Sequence, residues 1–348
     1  MEIVKELSSI ALPILEPEYR NMPELSYSTL STYEREGFNN LGHLFDRKES
    51  PSLTFGSCVD AWITGGRDEF DRLFYVAEFP SMGDKELLIV KDLFSNYSDT
   101  CAGFSAIPYE AILTDANVFE FQRNWRDDTR VKVLIERCSV YYNLMYLAGD
   151  KTIIDGNTYN DVVSTVNALR NSPATSGYFM DDDEDTPVRR YYQLKFRADL
   201  EGVGYRCMMD LAIVDYDDKV IIPCDLKTSS HKEWDFQESF CQWNYMIQGR
   251  LYWSILRANL DADPYFKDFE LKDYRFIVVN RSSLVPLVWE FPLTKVRGTL
   301  VDDVGKLYRD PLVIGRELRQ YLDSNPQVPM GIDVVGTNTI TKLKALED

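Results

Sequence analysis

Histidine is almost missing from this chain: His43 and His231 are the only two in 348 residues. They are too few for a three-histidine metal centre and too far apart for an HExxH zinc protease, and they leave little room for Ser-His-Asp chemistry. Cysteine is sparse and scattered. The six are Cys58, Cys101, Cys138, Cys207, Cys224 and Cys241, no two closer than 17 positions, so a CxxC knuckle is excluded. No uncharged apolar run reaches the ~18 residues that a membrane-spanning helix needs. The opening stretch MEIVKELSSIALPILEPEYR lacks the basic region and small-residue cleavage site of a signal peptide. We therefore expect reduced core thiols, a cytoplasmic location (the host cytoplasm if phage-encoded) and no membrane partner. Positive charge is also short: 38 basic side chains against 56 acidic ones give a net charge of -18. Such a chain repels polyanions at long range. Net charge does not locate charge, however, and carboxylates that hold metals add to the acidic count.

What is present is globular. Hydrophobic residues make up 45% and charged residues 27%, and the length allows one large domain or two ordinary ones. There is no internal repeat and no low-complexity linker. The one conspicuous charge run is Asp181 to Asp185, followed by Thr186-Pro187. Five adjacent acids repel one another, and proline disfavours a helix before it, so this reads as a solvated loop. It also divides two patterns. Before it, apolar residues recur near every 3.6 positions over 84–97, 107–123, 129–147 and 159–171, with shorter helices at 25–38 and 51–66, the latter ended by Gly65-Gly66. After it the period falls to two. Strands are expected at 188–199, 205–216, 219–226, 274–280 and 287–291, one long aromatic-rich helix at 235–258, and helices at 293–308 and 313–322.

The chemistry-bearing stretch is GYRCMMDLAIVDYDDKVIIPCDLKTSS. Asp210 lies on one strand, and Asp225 and Lys227 end the next as D-L-K. Residues two apart on a strand share a face, so Asp225 and Lys227 project together. Pairing through the Tyr216-Asp217-Asp218 turn would set Asp210 beside Asp225. Two close carboxylates repel unless a cation intervenes, and a divalent metal with oxygen ligands answers that need. A metal on two acids polarises a phosphodiester and activates water, and a neighbouring lysine neutralises developing charge. The bland alternative is a surface hairpin with an ion pair.

This pattern resembles the PD-(D/E)xK nuclease superfamily. Three further stretches resemble its RecB-like members in the same order: LSYSTLSTYE at 25–34, FGSCVDAWITGGRDEF at 55–70, and Gln248-Gly249-Arg250-Leu251-Tyr252, similar to a QxxxY motif. The wording DLKTSSHKEWDFQESFCQWNYMIQGRLYW looks like phage and prophage exonucleases related to RecE. The resemblance covers roughly 25–308. It implies an α/β fold with a PD-(D/E)xK core, a central mixed sheet flanked by helices and a helical N-terminal lobe. One nuclease domain would fill 1–348, with a helical lobe over 1–180 carrying Asp60, a catalytic core over 188–310, and a C-terminal helix and tail over 311–348. Asp210 and Asp225 would be catalytic metal ligands with the Leu226 carbonyl, Lys227 the catalytic lysine, and Asp60 a further ligand where many relatives use histidine. Gln248 and Tyr252 would organise the site. Gln193, standing where some relatives place a glutamate, would support it. Some relatives carry an iron-sulfur cluster with cysteines near the C-terminus; none follows Cys241, so no cluster is expected.

The implied activity is Mg2+- or Mn2+-dependent exonucleolysis of linear double-stranded DNA in phage recombination, repair or replication. A structure-specific or single-strand endonuclease, and a catalytically silent DNA-binding or assembly module, are the rivals. A single-strand annealing protein and a homo-oligomer are the partners such relatives suggest. Candidate phosphate contacts are Arg189, Arg190, Lys195, Arg197 and Arg206, with His231 and Lys232 at the cleft mouth and a second cluster at Arg123, Arg126, Arg130 and Lys132. Trp234, Phe236, Trp243 and Trp253 are candidates for base stacking, although such spacing more often marks a core.

Overall fold

The computed structural model describes residues 5–37, 44–45, 50–293, 300–301 and 307–324. They form two compact units, one of residues 1–56 with 165–348 and one of residues 57–164. The helical lobe expected over 1–180 overlaps the second unit without coinciding with it.

The first unit opens with α1 (Glu16–Arg20) and α2 (Tyr27–Glu36). Ser26 caps α2 by accepting the Thr29 N–H, and Gly37 ends it with a φ of 63° that a side chain would resist. Helix α3 (Pro51–Leu73) starts in the first unit and continues into the second. The expected stop at Gly65-Gly66 is a kink instead: Gly66 takes a φ of 69°, and the helix then resumes.

In the second unit follow β1 (Phe74–Val76), α4 (Asp84–Tyr97), α5 (Tyr109–Val118), α6 (Asp127–Ala148) and β2 (Thr152–Ile154), which pairs parallel with β1. The expected helix at 107–123 shrinks to α5 because Pro108 precedes it and Glu120 and Gln122 are left-handed. Ile89, Val90, Leu93, Phe104, Leu134, Cys138 and Tyr142 make a packed core there. Helix α7 (Gly156–Asn171) leads back into the first unit.

After α8 (Ser176–Phe179) the strands begin: β3 (Val188–Leu200), β4 (Val203–Asp215) and β5 (Val220–Thr228). Helices α9 (Phe236–Gln242) and α10 (Tyr245–Ala262) follow, then β6 (Glu270–Leu271), β7 (Tyr274–Val279), β8 (Leu287–Phe291), β9 (Leu300–Val301), β10 (Leu307–Tyr308) and α11 (Pro311–Ser324). The main sheet runs β3-β4-β5-β7-β8, with β6 alongside β5. It is mixed: β5 and β7 are parallel, and the other neighbours on that path are antiparallel. A parallel neighbour requires a long crossover, and α9–α10 supply it. Ile247, Leu251, Ile255 and Leu256 of α10 are buried in the same core as Phe196, Cys207, Met209, Phe276 and Val278 of the sheet. The mixed α/β architecture with a central sheet flanked by helices is as expected.

Two expectations fail here. The single helix over 235–258 is broken at Asn244, whose left-handed φ of 55° is a conformation asparagine tolerates better than most residues. The helix expected over 293–308 is replaced, where described, by the antiparallel pair β9–β10, whose backbone bonds run across the chain rather than along it; residues 294–299 and 302–306 lie outside the described residues. The tail from 325 lies outside them as well. No described helix is long and apolar enough to cross a membrane. All six cysteines are free; Cys58, Cys138, Cys207 and Cys224 are buried, and burial pushes the Cys58 and Cys138 thiols up to about 12.

Candidate active site

Strands β4 and β5 pair from Asp215↔Val220 to Leu211↔Cys224 and no further. Beyond that point β4 stays in its ladder with β3 and takes a single bridge from Leu25 to Tyr205, and β5 is paired with β7. The sheet therefore forks, and the next residues past the fork are Asp210 and Asp225. Asp210 takes over the lost ladder bond with its side chain: Oδ2 accepts the Leu226 N–H at 3.0 Å. The N–H and C=O of one extended residue point to the same side. The Leu226 carbonyl is therefore aimed to the same side as Asp210.

Asp225 is 2% exposed. Its Oδ1 accepts a short bond from Gln248 Nε2 on α10, and Lys227 Nζ stands 2.7 Å from Oδ2. That contact has ion-pair distance but not hydrogen-bond direction, so Oδ2 and the Gln248 Oε1 are both buried without a hydrogen bond. Such orphaned acceptors are costly unless something else satisfies them. Burial pulls the Lys227 pKa down, but the Asp225 carboxylate, with smaller help from Tyr245, Tyr27 and Asp210, outweighs it and raises the value above the ordinary lysine range. The site thus holds a charged ammonium against a buried carboxylate.

Helix α10 sets out its side chains by helical arithmetic. Tyr245, Gln248 and Tyr252 are three and four apart, so they share one face. The Tyr245 ring centroid lies 4.5 Å from Lys227 Nζ. Tyr252 packs edge-on to Tyr274 of β7. Burial pushes both phenols far above their ordinary pKa, and the Asp225 and Asp210 carboxylates push further. They stay neutral and form a low-polarity wall beside the two acids. Tyr27 of α2 stands 6.2 Å from Tyr245, ring to ring. The serine-rich N-terminal motif thereby gains a physical role: its helix lines the lysine's surroundings. Gly56 of the second motif lies where an added Cβ would be 3.1 Å from Thr228 Oγ1, just after D-L-K, so the start of α3 can approach the end of β5 closely. Asp60 lies further along α3, in the second unit.

Gln193 sits in β3 directly across from Asp210 in register, and the ladder skips that pair: Gln193 has a φ of 54°. A left-handed glutamine in mid-strand is strained.

The basic track expected on β3 and β4 is largely spent elsewhere. Arg206 is buried, and its guanidinium donates to the carbonyls of Tyr19 (2.5 Å) and Met22 (2.6 Å). Arg190 is ion-paired to Asp182 and donates to the Gly177 carbonyl. Arg189 binds the carbonyls of Asp183 and Thr186. These three brace loops instead of facing a phosphate, because local carbonyls and the acidic run satisfy them first. Arg197 is exposed with a loose 3.6 Å contact to Glu24, and among the described residues Lys195 Nζ reaches the Gln193 carbonyl. In the second cluster Arg130 is buried, bonded to the carbonyls of Ala116 and Phe121, while Arg123 and Lys132 pair with Glu120 and Glu136. Of the aromatic candidates, Phe236 is core and Trp253 donates to the Lys272 carbonyl, whereas Trp234 and Trp243 are exposed. Lys232 lies over Trp234, and His231 faces Glu238.

Sequence reading missed Glu233. It is fully buried, and its carboxylate accepts the N–H groups of Asn280 and Val285 and the Ser283 hydroxyl. Asn280 in turn donates to the carbonyls of Ser229, Ser230 and His231. The loop that follows D-L-K is thereby tied to the end of β7. No local signal marks Glu233, whose partners are 47 to 52 positions away. Tyr245 was legible in principle, from its spacing to Gln248 and Tyr252.

A metal such as Mg2+ keeps several waters and needs few protein ligands. Asp210, Asp225, whose Oδ2 faces Lys227 without a hydrogen bond, and the Leu226 carbonyl could supply an all-oxygen donor set of that kind. Among the described residues no group of three or more His, Cys, Asp or Glu side chains could hold a metal, so any such ion relies on backbone oxygen and water.

No family model matches the chain, and no curated protein matches it. Among solved structures it is similar to one from Eubacterium rectale described as a putative exonuclease, at 13% identity, with 96% of this chain and 97% of that one covered and a TM-score of 0.43.

Proposed function

We propose that this chain is a divalent-metal-dependent deoxyribonuclease of the PD-(D/E)xK type, acting as an exonuclease on linear double-stranded DNA. The observation that carries the reading is the fork between β4 and β5, where Asp210, Asp225 and Lys227 meet and Gln248 fixes the Asp225 carboxylate. Asp210, Asp225 and the Leu226 carbonyl would hold Mg2+ or Mn2+. When bound, the ion would acidify a water and polarise the phosphodiester. The chain's own residues do the rest. Lys227 presents a permanent positive charge where negative charge develops on the phosphoryl oxygens, and it can orient the attacking water. Gln248 locks the rotamer of Asp225, so the carboxylate is placed before substrate arrives. Tyr252, Tyr274 and Tyr245 keep the surroundings apolar, which strengthens each of these interactions.

The test is degradation of end-labelled linear duplex beside closed circular DNA in Mg2+ or Mn2+, with Lys227→Ala in parallel. We expect loss of the linear DNA alone, slowed at least ~100-fold by the substitution while the fold is retained. Cutting of circles would indicate an endonuclease on the same site. No metal-dependent cleavage of any DNA would defeat the proposal.

A further inference from the structure

Helix α2 carries Tyr27, Ser31 and Arg35 at intervals of four, hence on one face. That face grips the break between α9 and α10. The Tyr27 hydroxyl donates to the Trp243 carbonyl at 2.7 Å, and the Ser31 hydroxyl donates to the same oxygen at 3.0 Å. Two hydroxyls thus satisfy a carbonyl that the helix end leaves unpaired. Arg35 donates to Ser31 and lies 5.6 Å from the centre of the Trp243 ring. It makes no ion pair among the described residues.

The indole held this way is 43% exposed. A large aromatic ring whose backbone carbonyl is clamped by two hydroxyls, with a left-handed residue after it and a cation beside it, is not packed as core. Its position along the chain matters too. Trp243 is two residues from Tyr245, whose ring covers Lys227, and Tyr27 contacts both segments. Tyr245 and Tyr27 thus stand beside Lys227, and Tyr27 holds the backbone of Trp243, whose ring Arg35 faces.

We propose that Trp243 and Arg35 form a subsite for the nucleotide adjoining the scissile phosphate, with the indole stacking on its base and the guanidinium contacting its phosphate. This rests on the nuclease reading and narrows it. A base inside a duplex can stack on an indole only after it leaves its own stack, whereas a terminal base has a free face, so the subsite takes either a single-stranded tail or the last base of a duplex end. Base stacking on aromatic rings tolerates any sequence, which suits an enzyme that degrades DNA without regard to sequence.

The test uses the full chain in Ca2+, to permit binding without rapid cleavage, and labelled duplexes with short single-stranded ends, either normal or abasic at the terminal positions. Trp243→Ala and Arg35→Gln should each raise the Kd for the normal end, the former roughly tenfold. Trp243→Phe should restore most of the loss. With abasic ends, wild type and Trp243→Ala should bind alike, a convergence that a merely structural role for Trp243 would not produce. In Mg2+ the loss should appear in KM more than in kcat. Equal binding of normal and abasic ends by wild type, or unchanged binding by Trp243→Ala, would overturn the subsite and leave the nuclease reading standing. Hydrolysis of bis(4-nitrophenyl) phosphate by wild type separates the two cases: if neither this ester nor DNA is cleaved, the nuclease reading fails and the subsite with it.

Discussion

The same sheet carries two groups of charged side chains with opposite fates. At the fork, Lys227 and Asp225 are drawn inward, close together, with acceptor atoms left unsatisfied. On β3 and β4, Arg189, Arg190 and Arg206 donate to backbone carbonyls, and Arg190 also pairs with Asp182 of the acidic run, although the Arg206 Nε is left without a hydrogen bond. Both groups look alike in sequence, as bases near acids on alternating strands. The difference teaches that a charge is available for chemistry only where the fold denies it complete local partners. Arginine, with five donors in a rigid fork, finds carbonyls readily; a lysine held between a carboxylate and aromatic rings does not exhaust the carboxylate beside it.

The comparison breaks most visibly if Lys227 is replaced. Lys227→Met should destabilise the fold by about 3 kcal/mol, since it leaves Asp225 buried without its counter-charge. The double variant Asp225→Asn/Lys227→Met should recover most of that loss in chemical denaturation while remaining inactive. A single variant as stable as wild type would mean that the pair is effectively solvated.

Arg206→Ala sharpens the other side. It removes two bonds to the Tyr19 and Met22 carbonyls and should lower stability by ~1–3 kcal/mol. With Arg189→Ser and Arg190→Ser beside it, DNA affinity should change by less than about twofold and the salt dependence should keep its slope, because none of the three is a phosphate contact. A slope reduced by about one per substitution would restore them to the DNA track.

The smallest effect concerns two acids that have no lysine between them. In the helical unit, burial and the neighbouring Asp92 push Asp115 up to about 6. Its carboxyl binds a proton more tightly folded than unfolded. Stability therefore falls as pH rises from the ordinary carboxylate range through about 6, the reverse of a salt-bridged acid. Asp115→Asn should flatten that decline in melting temperature between pH 4 and 7. The effect should be slight, because the group is half-exposed and solvent screens it. An unchanged slope would show that other groups govern this window.

Much of the first unit was legible because its elements are locally coded. The alternation through 188–226 gives three strands close to their observed limits, and the D-L-K spacing puts Asp225 and Lys227 on one face. The break at Asn244 was not legible: asparagine is compatible with a helix, and what stabilises the left-handed turn is a clamp from α2, more than 200 residues earlier. Glu233 was hidden for the same reason. What holds Arg189, Arg190 and Arg206 was not legible either, because a run of arginines shows charge but not what already binds it.

Composition, strand period and the pairing of β4 with β5 across a short turn are properties of neighbouring residues, so the order of the amino acids was enough to set them. The fork in the sheet, the orphaned oxygen of Asp225, the aromatic collar around Lys227 and the exposed indole beside Arg35 depend on segments far apart in the chain. Only packing brings those segments together, because hydrogen bonds and burial are settled by whatever group arrives in space, whatever its distance along the backbone.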